Sequence, residues 1–160
     1  MRFVFGIKLP SLNEIIALNK QQKGKYSPYN EMKQDIEDTL LMDIKATLRD
    51  EDAEDWIVWE GSQFTFTWHH PDRRTDPDNT TAGQKFIFDA FVKSGIMVND
   101  NYRYISEIVH RFIHIPGEDH VVMVDISQRI FTPRLNKTLR QQLSGDPMGG
   151  DLRIPNTPTT

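Results

Sequence analysis

The chain has 160 residues, no cysteine and a formal net charge of −4. That suits one domain with one core, and it excludes a disulfide scaffold, a thiol nucleophile and any zinc site that needs sulfur. Apolar residues make up 38% and sixteen residues are aromatic, which argues against wholesale disorder.

The predicted elements follow in chain order. Residues 2–9 are rich in Phe, Val and Ile and read as a strand. Ser11 with Glu14 three residues later is a capping-box pattern, so a short helix is expected over 11–20. Residues 21–27 form a basic, Gly-containing loop. A longer helix is expected over 28–49, where Met32, Ile36, Leu40, Ile44 and Leu48 recur every four residues and Leu41 widens the apolar face. The acidic stretch 50–55 ends it. In residues 62–70, Phe64, Phe66 and Trp68 alternate with polar neighbours, the clearest strand pattern in the chain. A loop with two prolines follows, then a helix over 79–94 that stops at Gly95. Residues 104–115 and 120–128 read as two strands, and the Pro-Gly-Glu-Asp between them signals a hairpin. After residue 132 there is no aromatic residue, and the Pro and Gly content predicts a mobile tail. The expected fold class is α+β. One domain spans 1–131, with a small mixed or antiparallel sheet packed by two main helices and a C-terminal hairpin, and the tail spans 132–160. No apolar run reaches the roughly 18 residues of a membrane span. The first ten residues lack a cleavage site of small residues, so the cytoplasm is the expected compartment.

Charge is unevenly placed. Residues 35–60 hold ten acidic and two basic side chains, a local charge of −8, and the remainder of the chain is +4. Local potential, more than the total, steers a polyanion. Lys20, Lys23 and Lys25 cluster in and beside the first basic loop, and Arg73 and Arg74 form a second basic pair. Lysines in a loop also serve simply to solvate it.

The segment His-His-Pro-Asp-Arg-Arg-Thr-Asp-Pro-Asp-Asn, residues 69–79, carries the chemistry. Asp76 and Asp78 flank Pro77, which fixes its own backbone and pushes Asp76 toward an extended conformation. Mg²⁺ takes oxygen ligands and keeps positions open for substrate phosphate, so two rigidly spaced aspartates and a third from elsewhere suit it. Asp100, in Asn-Asp-Asn, is a candidate for the third. Taken alone, the same residues read first as turn and helix-cap chemistry. An EF-hand is the poorer reading, because Thr81 and Ile87 stand where its loop needs Gly and Glu. In the following helix, Thr81, Lys85, Asp89 and Lys93 form one polar stripe on an otherwise apolar surface. Lys85 either joins an i,i+4 ladder with Asp89 and Lys93 or points at a phosphate beside the carboxylates. The histidines, without cysteine or a His-Glu-x-x-His helix, make a poor metal set.

The blocks His-Pro-Asp-Arg-Arg-Thr-Asp-Pro-Asp-Asn, Lys-Phe-Ile-Phe-Asp-Ala-Phe-Val-Lys-Ser-Gly-Ile and Val-Asn-Asp-Asn resemble the RusA family of Holliday junction resolvases, phage and prophage endodeoxyribonucleases. The resemblance covers about residues 64–127. It implies a metal site of Asp76, Asp78 and Asp100, with Lys85 as the helix lysine of the site. Arg73 and Arg74 match the family's arginine-rich approach to the site. The chain departs from the family in two places. Asn99 stands where a second aspartate is often found, and the Asn79-to-Lys85 spacing is longer by about one helical turn.

The expected activity is Mg²⁺-dependent hydrolysis of phosphodiesters in four-way DNA junctions, with Mn²⁺ as a substitute ion. Lys20, Lys23, Lys25, Arg73 and Arg74 would hold backbone phosphates, and the acidic 50–55 segment would face away from DNA. Two symmetric nicks imply a C2 homodimer with one site per chain. Two alternatives stand beside it: a catalytically inactive junction binder of the same fold, and a structural module in which the Asp-Pro-Asp-Asn segment only caps a helix.

Overall fold

The computed structural model describes residues 1–128. The expected tail over 132–160 lies outside them. The elements are β1 (Arg2–Phe5), α1 (Leu12–Lys20), α2 (Pro28–Asp50), β2 (Ser62–His70), α3 (Pro77–Thr81), α4 (Gln84–Ser94), β3 (Ile105–His114) and β4 (Val121–Ser127). The four strands form one mixed sheet in the order β1-β4-β2-β3. With helices on one face of it, the described chain is an α+β domain. No helix among the described residues is long and apolar enough to cross a membrane.

Local sequence accounts for most boundaries. Ser11 accepts from the Glu14 amide at 3.3 Å while the Glu14 carboxylate accepts from the Ser11 amide at 2.7 Å, so α1 starts with the capping box its residues predict. Pro28 opens α2 in the first helical turn, where its missing N–H leaves nothing unpaired. Gly95 ends α4 at φ 85°, a left-handed conformation that side chains with a Cβ resist.

The core lies between the sheet and the α2–α4 pair. Ile36, Leu40, Ile44 and Leu48 of α2 are buried, as are Phe86, Ile87, Phe88, Ala90 and Phe91 of α4. Phe64 and Phe66 of β2 meet Phe88 edge-on at 5.1 and 5.5 Å between ring centres. Phe3 of β1 packs on Phe91 at 5.2 Å. Such contacts add modestly to what burial of the rings supplies. The polar stripe of α4 lies along its seam with α2, where Lys33 pairs with Asp89 at 3.0 Å and Lys93 with Glu37 at 3.1 Å.

Three expectations need correction. The hairpin does not form: β2 lies between β3 and β4, parallel to β3 and antiparallel to β4. The aromatic inner face of β2 is best buried at the sheet centre, whereas Glu107 and Arg111 suit β3 to an edge. The link between β3 and β4 therefore steps over one strand. The first strand ends at Phe5, short of residue 9. The helix expected over 79–94 is two helices, broken at Ala82–Gly83. Gly83 sits against Leu9, and a Cβ built there would lie 2.9 Å from the Leu9 Cβ. Gly83→Ala should therefore lose about 1–3 kcal/mol of stability, measured by urea denaturation, because a Cβ contact that close forces the backbone apart.

His110 gives the fold a pH dependence. Its Nδ1 accepts from the Trp68 indole N–H at 3.0 Å, and burial holds its pKa below the ordinary 6.5. His70 is lowered as well, by burial first and then by His120, with Asp72 opposing. A folded ring that stays neutral while the unfolded chain takes a proton makes stability complete above 6.5 and progressively lost as pH falls below it. Denaturant midpoints at about pH 7.5 and about pH 5.5 should show that loss, and His110→Phe should reduce the difference.

Candidate functional site

The Asp-Pro-Asp-Asn segment lies at the C-terminal end of β2. His70 ends that strand, residues 71–75 turn outward, and Asp76 becomes the N-cap residue of α3 with Pro77 at its first position. Asp76 is extended, at φ −69° and ψ 146°, as the following proline requires. Its side chain makes no cap hydrogen bond. Asp78 sits in the first turn and is exposed. Their carbonyl oxygens accept from the hydroxyls of Thr80 and Thr81. Among the described residues neither carboxylate is taken by an ion pair or a hydrogen bond. The capping that would have explained these aspartates as purely structural is not what their side chains do.

The loop before them is fixed to the sheet edge by His114, at the end of β3. Its Nδ1 accepts from Arg73 Nε at 3.1 Å, and its Nε2 lies 3.2 Å from the Pro71 carbonyl, the pair of contacts expected of a neutral ring protonated at Nε2. The Asp72 carboxylate accepts from the Arg74 amide at 2.9 Å. That bond, with the nearby Arg74 charge, holds Asp72 below the usual carboxylate range. Sequence reasoning passed over His114. Its spacing of four from His110 placed both on one strand face, but nothing local revealed that the loop folds back onto it. Beside the loop is a cavity of about 160 Å³, lined in part by Glu14, His69, His70 and His120. His70 and His120 meet edge-on there at 5.2 Å.

The other basic residues gather at the same end. Tyr29 of α2 packs on Phe86 of α4 at 6.5 Å, so α2 starts beside the start of α4. Lys20, Lys23 and Lys25 stand exposed just before α2. The acidic 50–55 segment follows the far end of this 23-residue helix, about 33 Å away at 1.5 Å per residue. Lys85 opens α4 and its ammonium lies 3.3 Å from Asp89. The first half of the ladder forms, while Lys93 turns to Glu37.

Asp100 is elsewhere. β2 and β3 run parallel with Ser62 opposite Ile105 and His70 opposite His114. Asp76 follows the C-terminal end of β2, and Asp100 precedes the N-terminal end of β3. Tyr104 and Ile105 donate to the Asn101 carbonyl, and Gly61 donates to that of Arg103, which pins this loop to the start of β2. The nine residues of β2 span about 26 Å. One chain therefore brings Asp76 and Asp78 together but leaves Asp100 at the opposite end of the sheet, and no group of three or more His, Asp or Glu able to hold a metal occurs among the described residues.

Comparison with protein-family models and with curated proteins gives no match.

Because its side chain has no cap bond to lose, Asp76→Asn should change the free energy of unfolding by less than about 0.5 kcal/mol. A structural cap would lose about 1 kcal/mol on replacement by Ala, so Asp76→Ala measured in the same urea titration separates the two roles.

Proposed function

We propose that the protein is a divalent-metal-dependent endodeoxyribonuclease of the RusA type that nicks four-way DNA junctions as a homodimer. One observation carries this reading: two exposed carboxylates flanking Pro77 have no partner among the described residues and follow directly on Arg73 and Arg74, at the end of the fold where α2 and the lysines before it begin. Uncommitted carboxylate oxygens at a proline-fixed spacing are the donors Mg²⁺ prefers, and Mn²⁺ accepts the same set.

Asp76 and Asp78 would hold the ion, whereas Asp100 of the same chain lies at the other end of the sheet and does not join them. When bound, it supplies charge neutralisation at the scissile phosphate and an acidified water. The chain's own residues do the rest. Arg74 and the lysines before α2 take backbone phosphates and position the DNA without reading sequence. Arg73, held by His114, keeps the loop at fixed distance from the sheet edge. Lys85 reaches a phosphate by leaving Asp89, which keeps Lys33 as a partner, so its departure leaves no buried charge unpaired. Its contribution is electrostatic. The acidic 50–55 segment, a helix length away, keeps its repulsion off the bound strand.

The test is a synthetic four-way junction incubated with and without Mg²⁺. Wild type should give paired symmetric nicks only with the ion, and Asp78→Asn should lower the rate by at least about a hundredfold. Binding that persists without nicking in wild type would favour the inactive junction binder instead. Binding should weaken steeply as salt rises, since each phosphate contact releases a counterion, and a flat salt response would count against the assigned lysines and arginines.

A further inference from the structure

We infer that His114 is a positioning residue with an acid-sensitive hold on the site: its neutral ring latches the 71–75 loop to the end of β3, and protonation at Nδ1 releases that loop. The consequence for nicking rests on the nuclease reading above. The latch itself does not.

The geometry permits one charge state. Nδ1 accepts from Arg73 Nε at 3.1 Å, and Nε2 stands 3.2 Å from the Pro71 carbonyl. A carbonyl only accepts, so Nε2 carries the proton. A guanidinium only donates, so Nδ1 carries none. An imidazolium has a proton on both nitrogens. The second proton turns the acceptor facing Arg73 into a donor and sets two like charges at hydrogen-bond distance. The Pro71 contact survives that change, and the Arg73 contact does not.

The surroundings offer the charged ring no substitute. His70 of β2 stands opposite His114 in the strand register. It lines the same cavity of about 240 Å³ with Asp72 and Arg73 from the loop, Thr80 from α3, and Phe112 and Ile113 from β3. Arg73 opposes a charge on His114, as does His70 once it is protonated. Thr80, Phe112 and Ile113 bring no charge. Asp72 favours the charge, but its carboxylate is turned to the Arg74 amide at 2.9 Å.

The loop depends on this ring. The backbone pairing of the two strand ends finishes with the Ile115 amide donating to the His70 carbonyl at 2.9 Å. Past it, the two His114 contacts are the hydrogen bonds among the described residues that tie residues 71–75 to β3. Asp76 follows that loop directly as the N-cap residue of α3, so a loop released at Arg73 no longer fixes where the two carboxylates stand. Anchorage through Nε also aims the Arg73 guanidinium, whose terminal nitrogens make no hydrogen bond among the described residues and can take a phosphate.

Two measurements test this. Nitrogen NMR of the full chain reads the latch directly. At about pH 7.5 His114 should be the Nε2–H tautomer and the Arg73 Nε–H should be protected from exchange; at about pH 5.5 that protection should be lost while the β2–β3 backbone amides keep theirs. An Nδ1–H tautomer at the higher pH, a ring still neutral at the lower one, or an Arg73 signal that outlasts protonation overturns the latch. The second measurement is junction nicking by wild type, His114→Asn and His114→Gln. Asn places an uncharged oxygen near the Nδ1 position and does not titrate, so steps common to both chains cancel in the ratio of rates. The wild-type to His114→Asn ratio should fall about tenfold between about pH 7.5 and about pH 5.5. Gln reaches the Nε2 position and keeps only the Pro71 contact, so His114→Gln should be slow at both. A constant ratio, or a His114→Gln chain as fast as wild type at the higher pH, overturns the positioning role. If no chain nicks with Mg²⁺, the nuclease reading fails and the latch is decided by NMR alone.

Discussion

The parallel pairing of β2 with β3 governs everything else in this fold. Parallel neighbours need a crossover, and here α3 and α4 provide it. A crossover leaves one strand at its C-terminal end and re-enters the next at its N-terminal end. Whatever precedes the helices and whatever follows them must then lie at opposite ends of the sheet. Asp76 and Asp78 fall before the helices and Asp100 after them. Their separation is a consequence of topology, and no side-chain rotation undoes it.

The helix–helix seam shows how the polar stripe of α4 is reconciled with an apolar core. Phe86, Ile87, Phe88 and Phe91 leave one narrow polar line, and that line meets Lys33 and Glu37 of α2. The pairs are partly exposed and each contributes little to stability. They do fix the register of α2 along α4, because a shift by one turn would bring lysine to lysine. That register sets the basic loop before α2 beside the Asp-Pro-Asp-Asn segment and carries the acidic stretch after α2 to the far end. The separation of charge visible in the chain thus becomes a separation in space.

Much of this was legible in the sequence. The capping box of α1, the four-residue period of α2, the alternation of Phe64, Phe66 and Trp68, and the left-handed stop at Gly95 are local signals, and each element appears where its residues place it. The errors lie where the deciding contact is remote. The Pro-Gly-Glu-Asp turn suggested that its flanking strands pair, but the demand of β2 for burial on both edges separates them. The need for glycine at 83, in the break, comes from Leu9, 74 residues upstream. The Asp-Pro-Asp-Asn segment reads as cap or as ligand from its residues alone, and the structure adds that the Asp76 side chain makes no cap bond. Strand order was the missing quantity for Asp100, since two segments close in sequence to a common helix can still emerge at opposite ends of it.

The outermost strand β1 has its own implication. It is drawn from the first residues, yet its neighbour is β4, with Arg2 joined to Asp125 at 2.7 Å and the Met1 amine donating to the Ile126 carbonyl at 3.2 Å. Phe3 and Phe5, both fully buried, therefore have no sheet to lie on until residue 126 is available. During synthesis the amino-terminal segment must wait, unpaired, for nearly the whole described chain to leave the ribosome, and closure of the long loop between them belongs among the last and slowest steps of folding.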